Sequence, residues 1–256
     1  MNLEQAFKNA GQEKPMTCET HGAYTAINLF NNNYSRCPEC TKEETEKKRL
    51  QDEEIKRQHE LNHIQKLISR SLIPLRFSDR TLDNYQATTE KQKQALEFSR
   101  QYVSNIEEVV KNGRSAIFCG KAGTGKTHLA CGIANEIMQS HYSALFLTVI
   151  KAIRMVKDTW SKDSEENEND VYEKLVKPSL LILDEIGVQF GSEAEKIILF
   201  EIINERYEAR QPTILISNLS LTDVKQYLGD RIFDRMREDG GKYISFDWDS
   251  YRGNIK

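Results

Sequence analysis

From Ser115 onward the chain alternates short apolar runs with longer stretches of mixed apolar and polar residues. Ser115–Cys119, Ala144–Val149, Leu180–Leu183, Thr213–Ser217 and Tyr243–Phe246 have the length and composition of buried strands. Between them, Lys126–Gln139, Ile150–Trp160 and Glu193–Ala209 read as helices, and two short helices fit before the last strand. The run Leu180–Leu183 follows Pro178 and is apolar throughout, as a strand covered on both faces must be. Strands alternating with helices predict an α/β fold, a parallel five-stranded sheet between helices. One more helix precedes the first strand. Thr88 or Thr89 caps it, and it runs to about Lys111 before Asn112-Gly113 stops it.

The first third of the chain has a different texture. Residues 1–40 are rich in Asn, with Asn31-Asn32-Asn33 and Gly22 as turn material, and read as irregular. Residues 41–70 are dense in charge. Glu43/Lys47, Glu44/Lys48 and Glu53/Arg57 lie four apart, which supports an exposed helix. Leu50, Ile55, Leu61, Ile64, Leu67 and Ile68 give it a thin apolar stripe, so it is either a solvated connector or a partner-binding helix. Ser71–Thr89, with Pro74 and several turn formers, reads as a linker. Two regions follow: residues 1–70, and an α/β domain over 71–256.

Composition narrows the picture. The 256 residues are 38% hydrophobic and 29% charged, a soluble balance with too many aromatics for a disordered chain. Apolar runs are too short to cross a membrane, and Met1-Asn2-Leu3-Glu4-Gln5 has no signal-peptide character, so a cytoplasmic protein without membrane partners is expected. The net charge of −3 excludes a globally basic nucleic-acid binder. That charge is unevenly spread. Residues 158–173 hold Asp158, Asp163, Glu165, Glu166, Glu168, Asp170 and Glu173 against Lys162 alone, and read as a mobile surface loop.

The chemistry is concentrated in three places. Gly120-Lys121-Ala122-Gly123-Thr124-Gly125-Lys126-Thr127 matches G-x-x-x-x-G-K-[ST] between a predicted strand and a predicted helix. Backbone N–H groups must wrap a triphosphate, and glycines let the main chain approach closely. The following helix adds its positive end. Lys126 is expected to reach the β- and γ-phosphates of ATP, and the Thr127 hydroxyl to complete a Mg²⁺ shell. Gly120, Ala122, Gly123, Thr124, Gly125 and His128 complete the nucleotide-binding set. Second, Asp184 and Glu185 emerge where the Leu180–Leu183 strand ends, the end at which open α/β sheets bind ligands. Asp184 is placed to hold Mg²⁺, and Glu185 to polarise an attacking water. Asn218, after Thr213–Ser217, either orients that water or is an ordinary turn residue. Arg231 and Arg235 share one helix face and either meet phosphate charge or pair with Asp230, Asp234 or Asp239.

Third, Cys18-Glu19-Thr20-His21 and Cys37-Pro38-Glu39-Cys40 form two ligand pairs at x₂ spacing. Cys18, His21, Cys37 and Cys40 fit a tetrahedral Zn²⁺ site that would supply folding free energy to a segment with almost no core. Cys119 and Cys131 read as small core residues.

With these parts placed, the chain resembles AAA+ ATPases, and more narrowly the DnaC/DnaI-type replicative helicase loaders of bacteria and phages. The resemblance covers about residues 70–256. It is carried by Leu228-Gly229-Asp230-Arg231-Ile232-Phe233-Asp234-Arg235-Met236-Arg237, by Phe246-Asp247-Trp248-Asp249-Ser250-Tyr251-Arg252, by Ile73-Pro74-Leu75-Arg76-Phe77 through Asn84-Tyr85, and by Asp184-Glu185-Ile186-Gly187. The zinc unit is similar to the DnaI branch, and the C-terminal wording is closer to DnaC. The resemblance implies an ATPase that loads a hexameric replicative DNA helicase onto single-stranded DNA, self-associates through its ATP sites and lets go on hydrolysis. It implies that Asn218 is a sensor, that Arg231 acts on a neighbour's ATP and that Arg235 is a second sensor. It also maps a DNA-touching element to Ile153–Trp160, where Arg154, Lys157 and Trp160 supply two cations and a stacking platform. Two rivals share these motifs: an IstB-type transposition helper and a nucleotide-gated adaptor that does not hydrolyse.

Overall fold

The computed structural model describes residues 10–30, 32–161, 163–187 and 192–251. Met1–Gln5, Asn31, Lys162 and Arg252, named above, lie outside the described residues. The chain divides into two compact units, Met1–Asn62 and His63–Lys256. The division falls within the long helix α1 (Pro38–Arg70).

The first unit is not irregular. Strands β1 (Glu13–Cys18), β2 (Gly22–Phe30) and β3 (Asn33–Tyr34) form an antiparallel sheet in the order β1-β2-β3. Its strands carry apolar residues on both faces and bury only Ala26 and Asn28, so no clean alternation marks them in sequence. Asn32, at φ 61°, supplies the turn between β2 and β3, a conformation Asn tolerates better than most residues. Helix α1 opens with Pro38 at its first position, where a missing N–H costs nothing. None of its 33 residues is buried, as the charge density predicts. The ion pairs differ from those read by spacing. Arg49 bridges Glu46 and Glu53 at 2.6 Å each, Arg57 holds Glu54 at 2.7 Å, and Glu44 turns to Arg36 at 3.4 Å.

The second unit is the expected parallel sheet, with strands β4 (Ala116–Gly120), β5 (Ala144–Thr148), β6 (Leu180–Ile186), β7 (Thr213–Ser217) and β8 (Lys242–Phe246) in the order β5-β6-β7-β4-β8. Alternate strand residues enter opposite layers. Ile117, Leu147, Leu181, Leu183 and Leu215 pack under helices α5 (Val149–Asp158), α6 (Glu168–Val176), α7 (Glu193–Glu208) and α8 (Leu221–Arg235). Phe118, Phe146, Ile182 and Ile216 pack under α2 (Glu90–Ser104), α3 (Ile106–Asn112) and α4 (Lys126–Gln139).

Three expectations need correction. The helix capped by Thr89 is two helices, because Asn105 leaves helical geometry and folds its amide back onto Gln101 O at 2.8 Å. Ser71–Thr89 is not a free linker. Ser71 O accepts the Phe146 N–H at 2.7 Å along the exposed side of edge strand β5, and Leu82 and Tyr85 are buried in the core. Of the acidic stretch, the described residues 159–161 and 163–167 stay a loop. Asn167 and Asp170 form a capping box for α6, which buries Val171, Tyr172 and Leu175. Those apolar positions are hard to read in sequence because acids flank them. The two short helices before β8 do appear, as one helix α8 broken at Gly229 (φ 76°, ψ 158°), a left-handed position that suits glycine.

Arg206 is fully buried and has no carboxylate partner among the described residues. Its guanidinium donates to Leu175 O and Val176 O at 2.8 Å, Pro178 O at 3.1 Å, Pro212 O at 2.6 Å and the Thr213 hydroxyl at 3.0 Å. Burial pushes its pKa down to about 9. One side chain thus closes the C-terminal end of α6 and fixes the turns that launch β6 and β7. Arg206→Met should lower unfolding free energy by more than about 3 kcal/mol, because several buried carbonyls lose their donor together. Urea denaturation of the two proteins measures this.

Candidate functional site

The loop between β4 and α4 carries the phosphate motif, and its glycines are where side chains cannot fit. A Cβ on Gly120 (φ 121°) would sit 2.4 Å from Phe246 O, and one on Gly125 (φ 94°) 2.6 Å from the Tyr85 ring. Gly123 is also left-handed, at φ 75°. Lys126 is buried, and its ammonium donates to Gly120 O at 2.7 Å and Lys121 O at 2.6 Å, so it lies over the loop. The Thr124 hydroxyl donates to Lys121 O at 2.8 Å, and Ala122 is part of the same turn. His128 differs from its neighbours. Its imidazole donates to Asn84 Oδ1 at 2.8 Å and Thr81 O at 3.0 Å, and burial holds its pKa below the usual range. It ties α4 to the segment before α2.

Across the sheet, the Thr127 hydroxyl donates to Asp184 Oδ2 at 2.9 Å. The residues proposed to share a Mg²⁺ shell therefore touch, although 57 positions apart. Burial raises the Asp184 carboxyl above the usual range. The Thr127 hydroxyl and the Glu185 N–H, at 2.7 Å from Oδ1, pull it back. Strand β6 is not β4's direct neighbour: β7 lies between them. Asn218, exposed just beyond β7, thus stands between the loop and the acids in strand order. At Glu185 the register slips. Leu183 pairs with Leu215 but Ile186 with Ser217, one extra residue on β6, and Glu185 adopts φ 67°. This bulge turns an exposed carboxylate out of the strand beside Asp184.

Arg231 and Arg235 share a face of α8, but no ion pair joins them to Asp230, Asp234 or Asp239 among the described residues. Both lie over the Phe200 ring of α7, at 5.1 and 5.7 Å, and Arg235 also covers Tyr207 at 4.9 Å. Stacking on an aromatic face holds a guanidinium without consuming its in-plane N–H donors. The DNA-contact candidates flank α5. Ala152, Ile153 and Val156 face the core, which leaves Arg154 and Lys157 exposed. Lys157 pairs with Glu195 at 3.2 Å. Trp160 is 54% exposed, not a core aromatic, and its indole N–H donates to Glu168 at 3.1 Å.

In the first unit, Cys18, His21, Cys37 and Cys40 bring their ligand atoms within 4.8 Å of one another. Cys18 Sγ is 3.5 Å from Cys40 Sγ, and His21 Nδ1 is 3.3, 3.8 and 3.9 Å from the sulfurs of Cys40, Cys37 and Cys18. A tetrahedral Zn²⁺ with usual bond lengths needs ligand separations of roughly 3.5 to 3.8 Å, so the donor set fits. N–H bonds from the His21 and Thr20 backbone pull the Cys18 thiol down to about 6, towards the thiolate a metal binds. A feature missed in the sequence completes the cluster. His21 Nε2 donates to Glu43 on α1 at 3.1 Å, the outer carboxylate that commonly orients a metal-binding imidazole. Glu43 had been matched with Lys47, and only the fold shows its partner. Cys119 and Cys131 are buried in the core as expected, and burial raises both thiols.

The profile of the family described as IstB-like ATP binding protein matches residues 42–255. The chain is 36% identical over 201 residues to the replicative helicase loader DnaC of Escherichia coli (strain K12), which spans 78% of this chain and 80% of that protein. Among solved structures it is similar to the DnaC helicase loader (TM-score 0.60, 23% identity, 67% of this chain and 99% of that one). It is also similar to DnaI (TM-score 0.59, 22% identity, 72% and 98%). At these identities the structures speak for the fold, an AAA+-type P-loop domain. No described helix is long and apolar enough to cross a membrane.

Purified without chelators, the protein should carry about one zinc per chain, and Glu43→Gln should weaken zinc binding by about 10- to 100-fold. Competition with a chromogenic chelator measures both. Zinc content near zero would reject the metal site.

Proposed function

Because this chain belongs to the family of IstB-like ATP-binding proteins and groups there with the DnaC helicase loaders, we propose that it loads a ring-shaped replicative helicase onto single-stranded DNA. The reading is carried by its extensive likeness to a protein named a replicative helicase loader, together with the Thr127–Asp184 contact that unites the two halves of an ATP site.

In this reading the P-loop N–H groups and Lys126 bind the triphosphate, and Thr127 and Asp184 hold Mg²⁺. Bound Mg²⁺ supplies charge neutralisation on the phosphates. Glu185, turned out by its bulge, accepts a proton from the attacking water, and Asn218 positions that water. Arg231 reaches the ATP of a neighbouring subunit, which makes self-association part of the cycle, and Arg235 senses the γ-phosphate. Arg154, Lys157 and Trp160 offer single-stranded DNA two cations and a ring. Residues 1–70, with zinc on Cys18, His21, Cys37 and Cys40, grip the hexameric helicase, and residues 71–256 form the motor. Loss of the γ-phosphate ends the contacts that hold the ATP state, so hydrolysis releases the loader. An IstB-type transposition helper is the second reading, favoured by the family's description alone.

Two measurements decide. Glu185→Gln should retain ATP binding and lose about 100-fold or more of the turnover seen with helicase and single-stranded DNA. Turnover no higher in wild type than in this variant would leave only a nucleotide-gated adaptor. The replicative helicase of the same cell should be captured by wild-type protein with ATP and zinc present, and failure to bind would end the loader reading.

A further inference from the structure

A planar trans peptide holds its C=O and the next residue's N–H on opposite sides. A loop that aims N–H groups at phosphate must therefore turn the carbonyls of those peptides away, where each needs a donor. In this chain the donors come from the segment after β8 and from Tyr85, before α2. Gly123 O accepts the Tyr251 N–H at 2.9 Å. Thr124 O accepts the Trp248 indole N–H at 3.0 Å and the Tyr85 hydroxyl at 3.4 Å. These are the peptides that present the N–H groups of Thr124 and Gly125. A further contact runs the other way, from the Lys121 N–H to Phe246 O at 2.9 Å.

The bracing segment is itself anchored away from the loop. Phe246 is buried against Phe118, with ring centroids 5.4 Å apart, and Trp248 stacks on Phe246 at 4.8 Å. Asp247 pairs with Lys91 of α2 at 2.6 Å, and the Tyr251 hydroxyl donates to Gln86 at 2.8 Å. Side chains seated on α2 and the segment before it thus hold the outer face of the phosphate loop.

We propose that Trp248 and Tyr251 are positioning residues for nucleotide binding, fixing two P-loop carbonyls outward so that the Thr124 and Gly125 N–H groups meet the phosphates. The proposal rests on the reading of this loop as an ATP site and adds the residues that shape it.

Trp248→Phe keeps a ring against Phe246 and deletes the donor. ATP and ADP, each with Mg²⁺, are titrated calorimetrically into full-length wild type and W248F, and each nucleotide-free protein is melted. The expected result is a rise of about 3- to 10-fold in both dissociation constants, the range of one hydrogen bond. The melting temperature of the nucleotide-free protein stays near that of wild type, and KM for hydrolysis rises with kcat retained. Unchanged affinity in folded W248F overturns the proposal, as does a fall in kcat alone. Should W248F not fold, Tyr85→Phe, which keeps its ring against Gly125 and removes the second donor, decides on the same titration: weaker binding supports the brace and unchanged binding overturns it. Wild type that binds neither nucleotide would instead overturn the ATP reading beneath it.

Discussion

A main-chain cradle for phosphate is the constraint around which the second unit is built. Its N–H groups must converge, so its carbonyls diverge and its glycines press against neighbours. The structure meets each demand with a specific partner. Phe246 O leaves no room beside Gly120, and Tyr85 leaves none beside Gly125. The Gly123 and Thr124 carbonyls end on Tyr251 and Trp248. The loop is therefore shaped from outside by residues far from it in sequence, which keeps its inner face free for anions.

Burial sets the energetics of the polar groups around that cradle. Asp184 is largely removed from water and would favour its neutral form, but the Thr127 hydroxyl and a backbone N–H support the charge. Arg206 solves the opposite problem with five acceptors and, among the described residues, no carboxylate partner, trading Coulomb energy for hydrogen bonding. It holds the roots of β6 and β7, the two strands whose far ends carry Glu185 and Asn218. The first unit has no comparable core. Ala26, Asn28 and Cys37 are its buried residues among those described, so a bound metal would be its main source of cohesion.

Helix α7 gathers cations from α5 and α8. Its Phe200 ring lies under both Arg231 and Arg235, and its Glu195 holds Lys157. One helix thus touches the side chains proposed above to meet a neighbour's nucleotide and DNA.

Much of this protein is legible in its sequence because it depends on local spacing. A glycine-rich loop between strand and helix and two acids after four buried apolar residues are each defined within a dozen positions, and the two x₂ ligand pairs lie between Cys18 and Cys40. Short apolar runs of strand length mark all five strands of the parallel sheet. What spacing cannot carry is which distant pieces meet. Strand order put β7 between the loop and the acids, a bulge turned Glu185 out, and Glu43 left its helical neighbour for His21. The N-terminal strands and the packing of Ser71–Thr89 also escaped, since few of their residues are buried and no period repeats. Local spacing thus sets the chemistry available. Tertiary structure decided which carbonyls, carboxylates and guanidiniums share a site, because those partners are chosen by burial and geometry across the fold rather than by position along the chain.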